Sequence, residues 1–327
     1  MSISIRILIS VCVLFILQGC DRAAAPEASL EVSNRHVTAG ALAQTGDRLL
    51  MGSSWHGGAY WDLDKSERLY IWNHARGEST VMTAVALSPD AHWALTSDSN
   101  TLVLWSTLTG AAQQYWSSPA SVHAVALSAN GDQALLGLQD HRAALYNVKL
   151  GGMVRSFAHE GPVTTVALSA DGRRVLTGSE DGSAVLWDSD TGEALARQQH
   201  SVDVHLVRLS ADGERALSAT RYDGVSIWST GGESLWTLPQ KKERLKRGLR
   251  VTAARFSDDG TYLLTGQPDG LVQLWDIEAR ELMQSWRLPK RKRWQPIAPV
   301  VLDVAFTNDP NRYTVLGSNG FVYQLRY

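Results

Sequence analysis

Cysteine is nearly missing from this chain. Of its 327 residues two are cysteine, Cys12 and Cys20, and both lie in the first twenty positions. The remaining three hundred or so residues carry no thiol, which excludes a disulfide framework and any thiolate metal site, so the fold has to be held by packing. Catalytic signatures are missing too: there is no phosphate-binding glycine loop, no H-E-x-x-H and no C-x-x-C. Gly178-Ser179-Glu180-Asp181-Gly182 has the wrong spacing for a nucleophile elbow and reads as a turn. The nine histidines are scattered, with His56 and His141 in turns of non-adjacent repeats, so no metal site is expected. A formal net charge of −2 gives no overall attraction to nucleic acid or membrane. The residues therefore point to no catalytic site, no cofactor and no nucleic-acid partner.

Long apolar runs are also absent, with one short exception. Arg6 precedes Ile7 to Leu17, which is too short to span a bilayer and suits the apolar region of a signal peptide. The run ends in Leu17-Gln18-Gly19-Cys20, which resembles the lipobox of bacterial lipoproteins. The resemblance implies that residues 1–20 form a signal peptide ending at the lipidated Cys20, and that the mature chain is held in the cell envelope, facing the periplasm. By resemblance to enterobacterial lipoproteins, Asp21 favours the inner membrane over the outer. Residues 21–28, Asp-Arg-Ala-Ala-Ala-Pro-Glu-Ala, read as a flexible tether with a reach of ~25 Å. The alternatives are ordinary secretion with cleavage near Ala23 to Ala25, or an uncleaved anchor.

What the chain does have is a repeat. From His159 to Gly192 it reads as three short strands, separated by turns at Ala170-Asp171-Gly172 and Glu180-Asp181-Gly182, and then turns toward a fourth. Equivalents of Leu168 recur at Leu42, Leu87, Leu127, Leu209, Phe256 and Phe306. Third-strand aromatics are expected at Trp61, Trp105, Tyr146, Trp187, Trp228, Trp275 and Tyr323, at intervals of 44, 41, 41, 41, 47 and 48 residues. Trp72, Trp116, Phe157 and Trp286 each follow the third-strand aromatic by eleven residues, with Trp236 a near match, and read as packing between sheets. A period of this length with Trp-Asp endings, as in Trp187-Asp188 and Trp275-Asp276, is that of a propeller blade.

On these residues the chain resembles the WD40-repeat family. The resemblance implies an all-β fold over residues 29–327, a seven-bladed propeller of four-stranded antiparallel blades. Ser29 to Ser33 would supply the outer strand that the last repeat lacks, closing the ring. It also implies a structural hydrogen-bond tetrad of His159, Ser179, Asp181 and Trp187, in which Ser179 joins His159 to the Trp187 indole. Blade five would keep His200, Thr220 and Trp228 with Asp223 shifted, and the other blades would lack the histidine.

Two basic insertions stand apart from the repeat. Lys241, Lys242, Arg244, Lys246, Arg247 and Arg250 precede blade six, and Lys290, Arg291, Lys292, Arg293 and Trp294 precede blade seven. Both join an outer strand to the next inner strand, so both are expected on one face as a docking patch for an acidic partner. The expected function is a non-catalytic, membrane-anchored platform that binds proteins in the bacterial envelope. One alternative is a periplasmic ligand-binding or enzymatic propeller with its site at the central channel. Another is binding of anionic headgroups through the basic loops.

Overall fold

A computed structural model of the chain describes residues 23–53, 57–75, 80–222, 224–239, 251–291 and 298–327. Cys20 and the proposed signal peptide, Lys241 to Arg250, and Lys292, Arg293 and Trp294 lie outside these residues. The described residues form twenty-eight strands in seven four-stranded antiparallel sheets, with no helix among them. Six sheets are simple meanders of consecutive strands; blade four, for example, runs Val163–Leu168, Arg174–Ser179, Ser183–Asp188 and Ala194–Gln199. The alternation of the pattern sets which strands are buried. The second strand, Arg-Val-Leu-Thr-Gly-Ser, is sealed on both faces between neighbouring blades, while the fourth, Ala-Leu-Ala-Arg-Gln-Gln, is mostly exposed at the rim.

Neighbouring blades come close enough that some positions admit no side chain. A Cβ on Gly178 would lie 2.6 Å from the Thr165 methyl and 2.7 Å from a Val204 methyl on the next blade. Gly266 meets Val301 of blade seven in the same way, at 2.2 Å. The fourth-strand aromatics bridge blades as their spacing suggests. Trp72 is buried and its indole N–H donates to the Gly110 carbonyl of blade two at 2.9 Å, and Trp286 donates to Arg326 of blade seven at 3.0 Å. Each seals an apolar interface with one satisfied polar group.

Blade seven is the seam. Its own chain supplies Val301–Phe306, Arg312–Gly317 and Phe321–Arg326, and the fourth strand is Ala28–Glu31 from the other end of the sequence. The register pairs Ala28 with Gln324, Ser29 with Tyr323, Leu30 with Val322 and Glu31 with Phe321. One expectation is corrected here. By strand register the partner of the inner second-strand position is Leu325, opposite Tyr313, where blade four pairs Val175 with Trp187. Tyr323 therefore sits two residues early, and the aromatic has moved to the facing strand as Tyr313. The pair keeps a similar volume because large and small have exchanged places.

The expected tether is also shorter than residues 21–28. Ala24 already pairs with the rim of blade six, donating to Ser285 O at 2.8 Å and accepting from Arg287 N at 2.9 Å, and Glu27 N donates to Gln324 O at 2.8 Å. Backbone groups alongside an open sheet edge find partners there, which ties the segment across blades six and seven. Arg291 fastens the same seam. Its guanidinium donates to Ser33 O at 3.2 Å and Asn319 O at 2.9 Å, pairs with Glu31, and lies over the Phe321 ring.

Replacing Arg291 with Ala should therefore lower stability by roughly 1–3 kcal/mol, since charge-assisted bonds to backbone carbonyls are lost together with a half-exposed ion pair. Denaturant unfolding of Arg291→Ala beside Lys290→Ala checks this. Equal stability of Arg291→Ala and the parent chain would show that the contact contributes nothing to closure.

Candidate functional site at the channel mouth

The innermost strands line the axis, and one position of the repeat sets the bore of the channel. The residue just before the first-strand anchor is Ala41, Ala86, Ala126 and Ala167 in blades one to four and Ala305 in blade seven. In blades five and six it is Arg208 and Arg255. Alanines on four blades leave a cavity of about 390 Å³ at this end of the channel, walled by Ala41, Ala86, Ala126, Ala167, Arg208 and Arg255 among others. Three charged groups of this wall lie inside the channel, Arg208, Arg255 and Asp303 from blade seven, and a fourth, Asp258, stands exposed at its rim.

The three charged groups are not equivalently satisfied. Arg255 reaches past blade seven to blade one: Nη1 donates to Ala43 O and Nη2 to Leu42 O, both at 3.0 Å, and Nη2 also bonds Asp303 Oδ2 at 3.0 Å. The same oxygen of the buried Asp303 carboxylate also accepts from Leu42 N at 2.8 Å. Arg208 has backbone partners, Nε to Ala254 O at 3.0 Å and Nη1 to Val207 O at 2.8 Å, and no carboxylate within ion-pair distance among the described residues. It lies deep in the ring with part of its surface open to the channel. Burial pushes its guanidinium below the ordinary arginine value, Asp303 opposes that shift, and Arg255 adds to it. The group nonetheless stays charged at neutral pH. At the rim, Asp258 is exposed and accepts from Gln44 Nε2 at 2.5 Å, a second link from blade six to blade one.

These residues carry no sequence motif, and inspection for catalytic patterns passes over them. The available signal was the repeat itself: Val166-Ala167-Leu168 becomes Val207-Arg208-Leu209 and then Ala254-Arg255-Phe256. A bulky cation where the pattern asks for alanine marks a departure at the axis.

The tetrad is present in blade four, with one member corrected. The bridging hydroxyl is Thr177: His159 Nε2 lies 2.7 Å from Thr177 Oγ1, to which the Trp187 indole N–H donates at 2.8 Å. Asp181 Oδ2 is 3.4 Å from His159 Nδ1. Ser179 instead donates to Gly161 O at 3.0 Å and accepts from Asp181 N. Residues 177 and 179 share one face of a strand, so spacing alone does not separate them. Burial holds His159 below the ordinary histidine value, with Asp181 opposing. Burial acts against ionisation of Asp181, but bonds from Ser183, Glu160 N and His159 outweigh it and bring its carboxyl to about 2. The neutral imidazole can then accept from Thr177 while its Nδ1 faces Ser183 Oγ at 3.0 Å and the Asp181 carboxylate behind it at 3.4 Å.

Blade two holds a second complete set, against the expectation that it lacks the histidine. His74 Nε2 is 2.9 Å from Thr96 Oγ1, Trp105 donates to the same hydroxyl at 2.8 Å, and Asp98 is 3.4 Å from His74 Nδ1. A longer loop hides His74 from an alignment on the following strand, whereas its distance from the preceding outer-strand aromatic, Trp72, matches that of His159 from Phe157. In blade five His200 meets Ser218, not the expected Thr220, at 2.9 Å. Asp223 lies outside the described residues. These groups stay inside their own blades and support turns, not chemistry.

Of the proposed basic patch, Lys290 and Arg291 are described, and Arg291 is engaged in the seam. Inner strands run toward the cavity, so the channel mouth opens on the face of their following turns. Leu238, Val251 and Arg291, which flank the basic insertions, lie at the opposite ends of those strands. These described flanking residues are therefore on a different face from the arginine-lined mouth, while Lys241 to Arg250 and Lys292 to Trp294 themselves lie outside the described residues. Among the described residues no cluster of three or more histidine, cysteine, aspartate or glutamate side chains could hold a metal ion, and no helix is long and apolar enough to cross a membrane.

Comparison with known proteins agrees with this geometry. Residues 67–106, 151–188 and 240–276 match the WD40 family, described as WD domain, G-beta repeat. The first match begins at an outer strand, Glu67–Trp72, and ends after the third strand of the next blade, one strand out of phase with the sheets. That offset is why the last sheet needs a strand from the N-terminus. The chain is similar to the WD repeat-containing protein 91 homolog of Dictyostelium discoideum, 29% identical over 28% of this chain and 11% of that one. It is also similar to the human angio-associated migratory cell protein, 32% identical over 30% of this chain and 21% of that one. The chain spans no more than about a fifth of these relatives' lengths. The chain is thus a seven-bladed β-propeller, three stretches of which match the WD40 repeat.

Thr177→Val should detach the Trp187 indole and His159 from each other, at a cost of about 1–3 kcal/mol for buried groups left unpaired. Nitrogen–proton NMR reads it directly: the Trp187 indole resonance should move strongly in Thr177→Val and little in Ser179→Ala. The reverse pattern would restore Ser179 as the bridge.

Proposed function

We propose that this protein is a non-catalytic interaction platform of the bacterial cell envelope, held to a membrane by lipid on Cys20 and facing the periplasm. The observation that carries the reading is the union of a propeller ring with a lipobox-like segment only a few residues ahead of it in the sequence. Three residues, Asp21 to Ala23, separate Cys20 from Ala24, which is bonded to blade six. Four residue steps reach about 14 Å at most, so a lipid on Cys20 would hold the rim of blades six and seven against the bilayer. More than one acyl chain makes such anchoring stable. Asp21 favours the inner membrane. Partners are envelope proteins that dock on the exposed turns, with the basic insertions offering an acidic partner one face. Rigid blades with variable loops suit that task, and fold alone does not name the partner.

The anchor is tested by labelling cells with a radioactive fatty acid and fractionating them. The parent protein should take up label and sediment with membranes, and Cys20→Ser should lose label while keeping its melting temperature. Sedimentation of unlabelled Cys20→Ser with membranes would contradict a lipid anchor. In the same cells, replacing Lys241, Lys242, Arg244 and Lys246 with Gln should reduce crosslinking of the parent's envelope partner, and unchanged crosslinking would remove the patch from the interface.

A further inference from the structure

The channel wall carries two arginines, Arg208 and Arg255, and two carboxylates, Asp303 and Asp258, and among the described residues Arg208 has neither carboxylate within ion-pair distance. Arg255 and Asp303 form an ion pair that is further bonded to Leu42 and Ala43. The remaining carboxylate nearby, Asp258, stands at the exposed rim, where water and salt screen it. Arg208 is left with Nη2 in no hydrogen bond among the described residues and no acidic partner. A guanidinium has five N–H donors, of which Arg208 uses two here. A purely structural role does not account for this, because one bond to blade six and one to its own strand leave the outer edge of the fork free. The space in front of that edge is available: the equivalent residues of the other unpaired blades are Ala41, Ala86, Ala126 and Ala167, and the cavity they bound holds about 390 Å³.

We propose that the channel mouth binds a carboxylate group, with the free edge of the Arg208 guanidinium as its principal donor. One unmatched monovalent cation complements a monoanion, whereas a phosphate dianion would leave a negative charge uncompensated where solvation is poor. The planar fork favours the two oxygens of a carboxylate. Such a group could come from a free small organic acid, or from an acidic side chain or C-terminus of a protein lying on the face of the first turns. The inference goes beyond the platform reading, because it names a subsite at the channel mouth and does not need the lipid anchor.

Isothermal titration of the full-length protein in detergent with succinate, with an acidic peptide ending in a free carboxylate, and with inorganic phosphate tests it. At least one carboxylate probe should bind with one-to-one stoichiometry, and Arg208→Gln should weaken it by about tenfold or more. Binding of succinate assigns the site to small acids, and binding of the peptide alone assigns it to a protein partner. Should Arg208→Gln fail to fold, Arg208→Lys keeps the charge without the fork and should still weaken binding. A bound carboxylate should also raise the melting temperature of the parent protein in a saturable way. No binding of either carboxylate, tighter binding of phosphate, or binding unchanged by both substitutions would overturn the proposal.

Discussion

A ring of sheets is stable only if its last edge is paired, and here four backbone residues, Ala28–Glu31, perform that pairing. An unclosed blade seven would present the edge of Phe321–Arg326 to solvent, with its apolar faces already committed to the interior. Around this seam several polar links join residues far apart in the sequence. On the rim Ala24 and Glu27 run the N-terminal segment across blades six and seven. On one face Arg291 ties the closing strand to the turn at Asn319. At the axis Arg255, Asp303 and Leu42 join blades six, seven and one. Closure is thus made at three depths, and each uses residues far apart in sequence.

Closure has a consequence for function. Because Arg255 crosses blade seven to satisfy itself on blade one, it can be buried without an external partner, and Asp303 is drawn into the same link. Arg208, one blade earlier, has no such neighbour, since the positions around the bore on its other side are alanines. The asymmetry of the channel follows from where the seam lies. A charged group that the seam cannot use faces the cavity, while the tetrads of blades two and four keep their polar groups within the blades.

Much of the fold was legible in the sequence because it repeats. The anchors at Leu42 to Phe306 and the outer-strand tryptophans fall where a period of about forty residues puts them, and the missing fourth strand implied a donor at the other terminus. What failed to read did so for local reasons. Thr177 and Ser179 face the same way along one strand, so the bridging hydroxyl was misplaced by two residues. In blade seven the aromatic crossed to Tyr313, which leaves Leu325 in its place. His74 sits behind a longer loop. Arg291 looked like part of a solvated basic run, and only its position beside Glu31, Ser33 and Asn319 reveals a structural role. The channel arginines were visible as exceptions to the repeat, but their meaning depends on which blades meet at the axis, and no local pattern carries that information.

Native-state hydrogen exchange is the most direct test of the claim that the borrowed strand closes the ring. The account predicts that amides of Ala28–Glu31 and Phe321–Arg326 that are bonded across the seam exchange as slowly as those between Arg174–Ser179 and Ser183–Asp188, all opening only with global unfolding. Exchange of the seam amides orders of magnitude faster, with the rest of the ring still protected, would contradict it.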